Sequence, residues 1–143
     1  DMVSVPVGHP LRSVVVGAPG YLDACTALDS PRDLSRHRCI GFRTAGGILS
    51  PWSFERDGRT ETVKVTSSVV VNDGNALVAA ACAGIGLAYV LEELAAPFLR
   101  DGRLVEVLRN WSPRFAGYHA YYSNRRHPPP AVRLFIDLLR QEI

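Results

Sequence analysis

Apolar and polar positions alternate from the start of the chain, where Ser4 and Pro6 separate Val3, Val5 and Val7. A period of two is a strand signature. Pro6 has no N–H to give to a ladder, so an edge strand is expected. Gly8 to Pro10 make a turn, and Arg12 to Gly17 form a second strand. Its Val14-Val15-Val16 run is apolar throughout, which predicts cover on both faces. Pro19 suits the first turn of a short helix, Gly20 to Ala27. Ser30-Pro31-Arg32-Asp33-Leu34 starts another helical turn. Cys39 to Arg43 is a brief strand that ends in the flexible loop Thr44-Ala45-Gly46-Gly47.

Trp52 to Glu55 and Thr62 to Val65 alternate, and Asp57-Gly58 between them is a strong hairpin signal. The second arm is expected to run on through Ser68-Val69-Val70-Val71 to Asn72. Asn72-Asp73-Gly74-Asn75 offers caps for a helix from Asn75 to Ala83, with Leu77, Val78, Ala81 and Cys82 on one face. Gly84 ends it. A buried strand, Leu87 to Val90, precedes a helix, Glu92 to Leu99, whose opening acids complement its dipole. Asp101-Gly102 turns into a strand, Arg103 to Leu108, and Gly117 to Ser123 is another. The last helix, Ala131 to Gln141, places Val132, Phe135, Ile136 and Leu139 on one stripe. Strands and helices alternate with short connections, so the class is α/β with a largely parallel sheet.

Composition narrows this little. The 143 residues suit one domain, with 47% hydrophobic and 21% charged residues. The net charge of +2 is too small to imply nucleic acid by itself. Arg125-Arg126-His127 leads into three prolines and reads as a solvated loop. Cys25, Cys39 and Cys82 are odd in number and widely spaced, which argues for a reducing, cytoplasmic compartment. No apolar run reaches membrane-spanning length, because Gly84 and Gly86 interrupt the longest. No signal peptide opens the chain. It begins as if in mid-strand, so a fragment of a longer protein is expected.

Catalytic chemistry is hard to find. Gly17-Ala18-Pro19-Gly20 matches no phosphate loop. Gly84-Ile85-Gly86 resembles half a dinucleotide fingerprint but follows a helix and precedes a strand, the reverse of the required order. A cysteine nucleophile needs a base in reach, and His37 is not expected to meet Cys39 from two residues away. His9, His37, His119 and His127 lack metal-binding spacing. No catalytic residue, metal or cofactor is expected. The most informative polar cluster is Asn72-Asp73-Gly74, at a strand's C-terminal end and a helix's N-terminal end. It serves either as a simple cap or as an anion site, since ligands bind at that edge of open α/β sheets. Arg43-Thr44, also at a strand's end, is either a solvated pair or a second carboxylate clamp.

In order and spacing, these segments resemble the effector-binding domain of LysR-type transcriptional regulators. The likeness runs through Asp1 to Gly8, Leu11 to Leu22 (LRSVVVGAPGYL), Ser30 to Leu34 and His37 to Arg43. It continues through Trp52 to Phe54, Val70 to Gly74, Ala80 to Val90 (AACAGIGLAYV), Gly102 to Leu108 and Trp111 to Pro113. Leu91 departs from it, standing where many relatives have proline.

The resemblance implies a two-lobed fold like that of periplasmic binding proteins (type 2), with the second lobe complete and the first partial. Residues 1–10 would be a remnant of the first lobe and 11–18 a crossing strand. Residues 19–108 would be the second lobe, and 109–143 the return strand and closing helix. It further implies a small, anionic effector in the interlobe cleft, with Arg43, Thr44, Asn72, Asp73 and Gly86 as ligand-binding positions. Val16, Gly17, Tyr118 and Ala120 would be the hinge. Partners would be a homodimer or homotetramer, and DNA only through a helix-turn-helix outside this bacterial chain. The helix Asn75 to Ala83 is either an oligomer contact or an ordinary buried helix. A solute-binding lobe of a transport system is the alternative function.

Overall fold

The computed structural model describes residues 2–6, 11–112, 114–115, 119–123 and 130–141. In chain order the elements are β1 (Met2–Pro6), β2 (Leu11–Gly17), α1 (Pro19–Asp23), β3 (Ile40–Phe42), β4 (Trp52–Arg56), β5 (Arg59–Val63) and β6 (Val69–Val71). Then follow α2 (Gly74–Cys82), β7 (Ala88–Leu91), α3 (Glu92–Arg100), β8 (Val105–Val107), β9 (Arg114–Phe115), β10 (His119–Ser123) and α4 (Pro130–Gln141). Short 3₁₀ segments occupy Pro31–Arg36 and Arg109–Trp111. The chain divides into two units, one of Asp1–Leu11 with Arg114–Ile143, the other Arg12–Pro113.

The larger unit is built around β2. Val14, Val15 and Val16 are completely buried, as an all-apolar strand covered on both faces should be. Successive strand side chains point to opposite faces, and the core separates accordingly. Val14 and Val16 join Ile40, Leu77, Ala81, Val90 and Leu104 on one side, under α2 and α3. Val15 joins Leu34, Trp52, Phe54, Leu87 and Trp111 on the other, under the β4–β5 hairpin and the 3₁₀ turns.

β2 pairs antiparallel with both β7 and β8, while β3 runs parallel to β6. A parallel bridge joins Cys39 to Leu87. There the Ile40 N–H donates to the Leu87 carbonyl, and the Leu87 N–H to that of Arg38, both at 2.8 Å. The order across is therefore β6-β3-β7-β2-β8. The expected largely parallel sheet is corrected to a mixed one. Alternation of strands and helices suggests crossovers, but it carries no direct record of strand direction.

The hairpin turns at Asp57 and Gly58, both with positive φ (51° and 76°), as a two-residue turn matched to strand twist requires. Its second arm stops at Val63 instead of running on to Asn72, because β5 pairs with β4 and β6 with β3. α1 ends at Asp23, short of Ala27. α2 lays Leu77, Val78 and Ala81 on the sheet, so it packs as a core helix.

In the smaller unit β1 and β10 form an antiparallel ladder, with Met2 opposite Ser123 and Pro6 opposite His119. α4 starts on Pro130, a residue pre-organised for a first turn. Leu134, Phe135 and Leu138 of this helix are exposed.

Candidate functional site

The parallel pairing of β3 and β6 brings the expected polar residues to one sheet edge. Phe42 lies opposite Val71, so Arg43-Thr44 and Asn72-Asp73 leave their strands side by side, and the Arg43 N–H donates to the Val71 carbonyl at 2.8 Å. All four residues are exposed. The Arg43 guanidinium donates to the Gly47 carbonyl at 2.8 Å. That contact closes the loop expected to be flexible, which is further tied by Thr44 N–H to Ile48 carbonyl and Ser50 N–H to Phe42 carbonyl. The Asp73 carboxylate caps α2, accepting from the Ala76 N–H at 3.0 Å.

Beside these residues lies a cavity of about 210 Å³. Phe42, Trp52 and Tyr89 supply its aromatic wall, and Leu77, Val90, Leu91 and Leu94 its aliphatic wall. Ser13, Ser50 and the α2 residue Gly74 complete the lining, and no charged side chain belongs to it. Trp52 and Tyr89 stack with centroids 5.6 Å apart and planes 21° from parallel. Tyr89 is held by donating its hydroxyl to the Ser53 carbonyl at 3.0 Å. Two locked rings give the wall a fixed shape. Of these lining residues only Gly74, in the Asn72-Asp73-Gly74 cluster, was expected from sequence at a ligand site. The alternation at Trp52-Ser53-Phe54 marked a strand, and nothing local said that its Trp would meet Tyr89, 37 positions away.

Arg12 was also missed. It is the second residue of β2, next to Ser13, and only 7% exposed. It meets Glu106 of β8 through two contacts, at 2.6 and 3.0 Å, and Glu92 at the start of α3 at 2.5 Å. The Glu106 hydrogen bond raises the Arg12 pKa, against the opposing effect of burial. This triad ties β2, β8 and α3 together next to the cavity wall.

Gly86 stands apart from the other expected ligand positions. It precedes β7, and the parallel strands place it at the opposite sheet end from Arg43 and Asn72. A Cβ there would lie 2.6 Å from the Arg38 carbonyl oxygen, so Gly86 permits close backbone passage. An open groove of about 680 Å³ also lies at that end, lined in part by Tyr21, Cys25, Arg36, Arg38 and Cys82. The expected hinge residues Val16 and Gly17 sit inside β2 with ladder partners on β8, and Val16 also on β7. Ala120 lies in β10, and Tyr118 lies outside the described residues.

Cys39 and Cys82 do not resemble nucleophiles. Burial pushes the Cys39 thiol up to about 12 and raises that of Cys82, whereas a nucleophile needs the thiolate. The His37 ring turns away from Cys39, with Nδ1 3.0 Å from the Tyr21 hydroxyl. That hydroxyl accepts from the Arg38 N–H. Among the described residues no group of His, Cys, Asp and Glu could hold a metal ion, and no helix is long and apolar enough to cross a membrane.

The family described as the LysR substrate binding domain matches residues 1–143. A candidate transcriptional regulator of Pseudomonas aeruginosa is 47% identical over 141 residues, which cover 98% of this chain and 46% of that protein. The transcriptional regulator PgrR of Escherichia coli, of the helix-turn-helix type, is 30% identical over 98% of this chain and 47% of its own length. The chain thus spans about half the length of these relatives. Among solved structures, the regulatory domain of an AphB variant from Vibrio vulnificus matches with a TM-score of 0.76 and 24% identity. The match covers 96% of this chain and 68% of that one. The CrgA regulatory domain of Neisseria meningitidis matches with a TM-score of 0.71 and 21% identity, covering 99% and 69%. These two likenesses concern the fold, which is that of LysR regulatory domains and resembles periplasmic binding proteins.

Proposed function

The chain belongs to the LysR substrate-binding domain family, and from that premise we propose that it senses a small anionic effector for a cytoplasmic transcriptional regulator. The observation that carries this reading is the cavity beside the strand ends that Arg43 and Asn72 leave. Open α/β sheets bind ligands at that edge. A guanidinium has five donors and holds carboxylates bidentately, so the bond to Gly47 leaves donors for an effector. The start of α2 faces the same edge, but its Ala76 N–H already serves the Asp73 carboxylate, so Arg43 is the cation that would hold the anion.

The effector works by population shift. It moves the domain between arrangements only as far as its affinities for them differ. DNA contact belongs to a helix-turn-helix of the whole regulator, and self-association to its assembled form. A transport lobe is the weaker reading, because the matched relatives include regulators named as helix-turn-helix proteins.

Arg43→Ala tests the anion clamp. A charge-assisted hydrogen bond contributes about 1.5–3 kcal/mol, so carboxylate affinity should fall roughly ten- to a hundredfold in titration calorimetry. Unchanged affinity would remove Arg43 from the site.

A further inference from the structure

We infer that the effector carries an apolar body the size of a single ring, held in the Trp52–Tyr89 cavity, with its charged group left at the rim. The inference rests on the effector-sensing reading of this site and names the ligand class. An apolar cavity of about 150 Å³ accommodates benzene, and this one measures about 210 Å³. One ring with a short substituent therefore fits.

The lining fixes the chemistry. Phe42, Trp52, Tyr89, Leu77 and Leu94 offer apolar contact, and the side-chain hydroxyls come from Ser13 and Ser50. A small dicarboxylate placed here would lose water and meet no cation, which is unfavourable. An apolar body gains from leaving water, and the half-buried Tyr89 ring, backed by its stack on the buried Trp52, offers a flat wall to a flat ligand. Arg43, Asn72 and Asp73 do not line the cavity. They flank it through Phe42 and Gly74, their chain neighbours, which do. The division of labour is an apolar pocket for the body and a polar rim for the charge. Leu94 is 39% exposed, so a ligand in the cavity would cover apolar surface.

The test titrates the 143-residue chain with phenylacetate and, separately, succinate, following backbone amides by NMR. The expected result is a saturable shift of the Ser50, Gly74 and Leu91 amides with phenylacetate, at an affinity about tenfold above that of succinate. Leu94→Ser, at a partly exposed position, should weaken phenylacetate about fivefold and leave succinate unchanged. Succinate binding as tightly as phenylacetate, with shifts confined to Arg43 and Asn72, would overturn the apolar body and leave the effector reading standing. No saturable shift with either acid would overturn both.

Discussion

Arg12 illustrates how much a single residue can hold in this fold. Its guanidinium is nearly sealed from solvent and shared by Glu92 and Glu106, on elements far apart in sequence. Removing one partner from a buried ion pair strands the other charge, at a cost of about 3–5 kcal/mol. Glu106 keeps the Arg109 guanidinium at 3.5 Å, so Arg12→Ala should lower the unfolding free energy by about 3 kcal/mol, the lower end of that range, seen as a lower urea midpoint at unchanged slope. A loss typical of an exposed pair, under about 1 kcal/mol, would show that Arg109 and solvent suffice to compensate Glu106. Cys39 gives a second prediction. Its folded thiol is raised to about 12 from an ordinary 9.0. A group with a raised folded pKa contributes stability below its unfolded pKa and loses that contribution as pH rises through the folded value. Stability should thus fall from about pH 9 toward pH 12, and Cys39→Ala should flatten part of that limb. Tyr21, also raised to about 12 by burial, would account for what remains. An alkaline limb identical in the variant would exclude Cys39 as a cause. The role of Arg12 was not legible in the sequence, because a lone Arg near the start of an apolar strand looks alike whether buried or exposed, whereas a free cysteine is ordinarily a small core residue.

At the scale of elements, legibility followed the range of the interaction. The Asp57-Gly58 hairpin, the α2 cap at Asp73 and the doubly covered β2 were all readable, since a local rule decides each. The break between β5 and β6 was not. Alternation continues across residues 61–70 in exposure, but the two strands serve different partners, and pairing is a long-range choice. Gly86 shows the same limit. Its glycine signal was plain, while its cause, the Arg38 backbone beside β3, lies 48 positions away. Gly86→Ala should cost about 1–3 kcal/mol through overpacking and leave effector affinity unchanged in the folded fraction, as Gly86 lies at the far sheet end. An effector affinity that falls more than stability would place Gly86 in the site after all.

The whole molecule was read from the ordered resemblance of weak segments, none specific alone, and family membership supports that reading. Half of the candidate site came with it. The rim residues Arg43 and Asn72 stand at recognisable strand ends, whereas the cavity wall is assembled from β2, β3, β4, β7, α2 and α3 and has no local signature. The central claim is that a small ligand binds at this edge. Hydrogen–deuterium exchange tests it most directly, comparing the chain alone and with the organic acid that most raises its melting temperature. The account predicts slowed exchange at residues 42–50 and 72–77. Slowing confined to the groove by Tyr21, Arg38 and Cys82, or none anywhere, would contradict it.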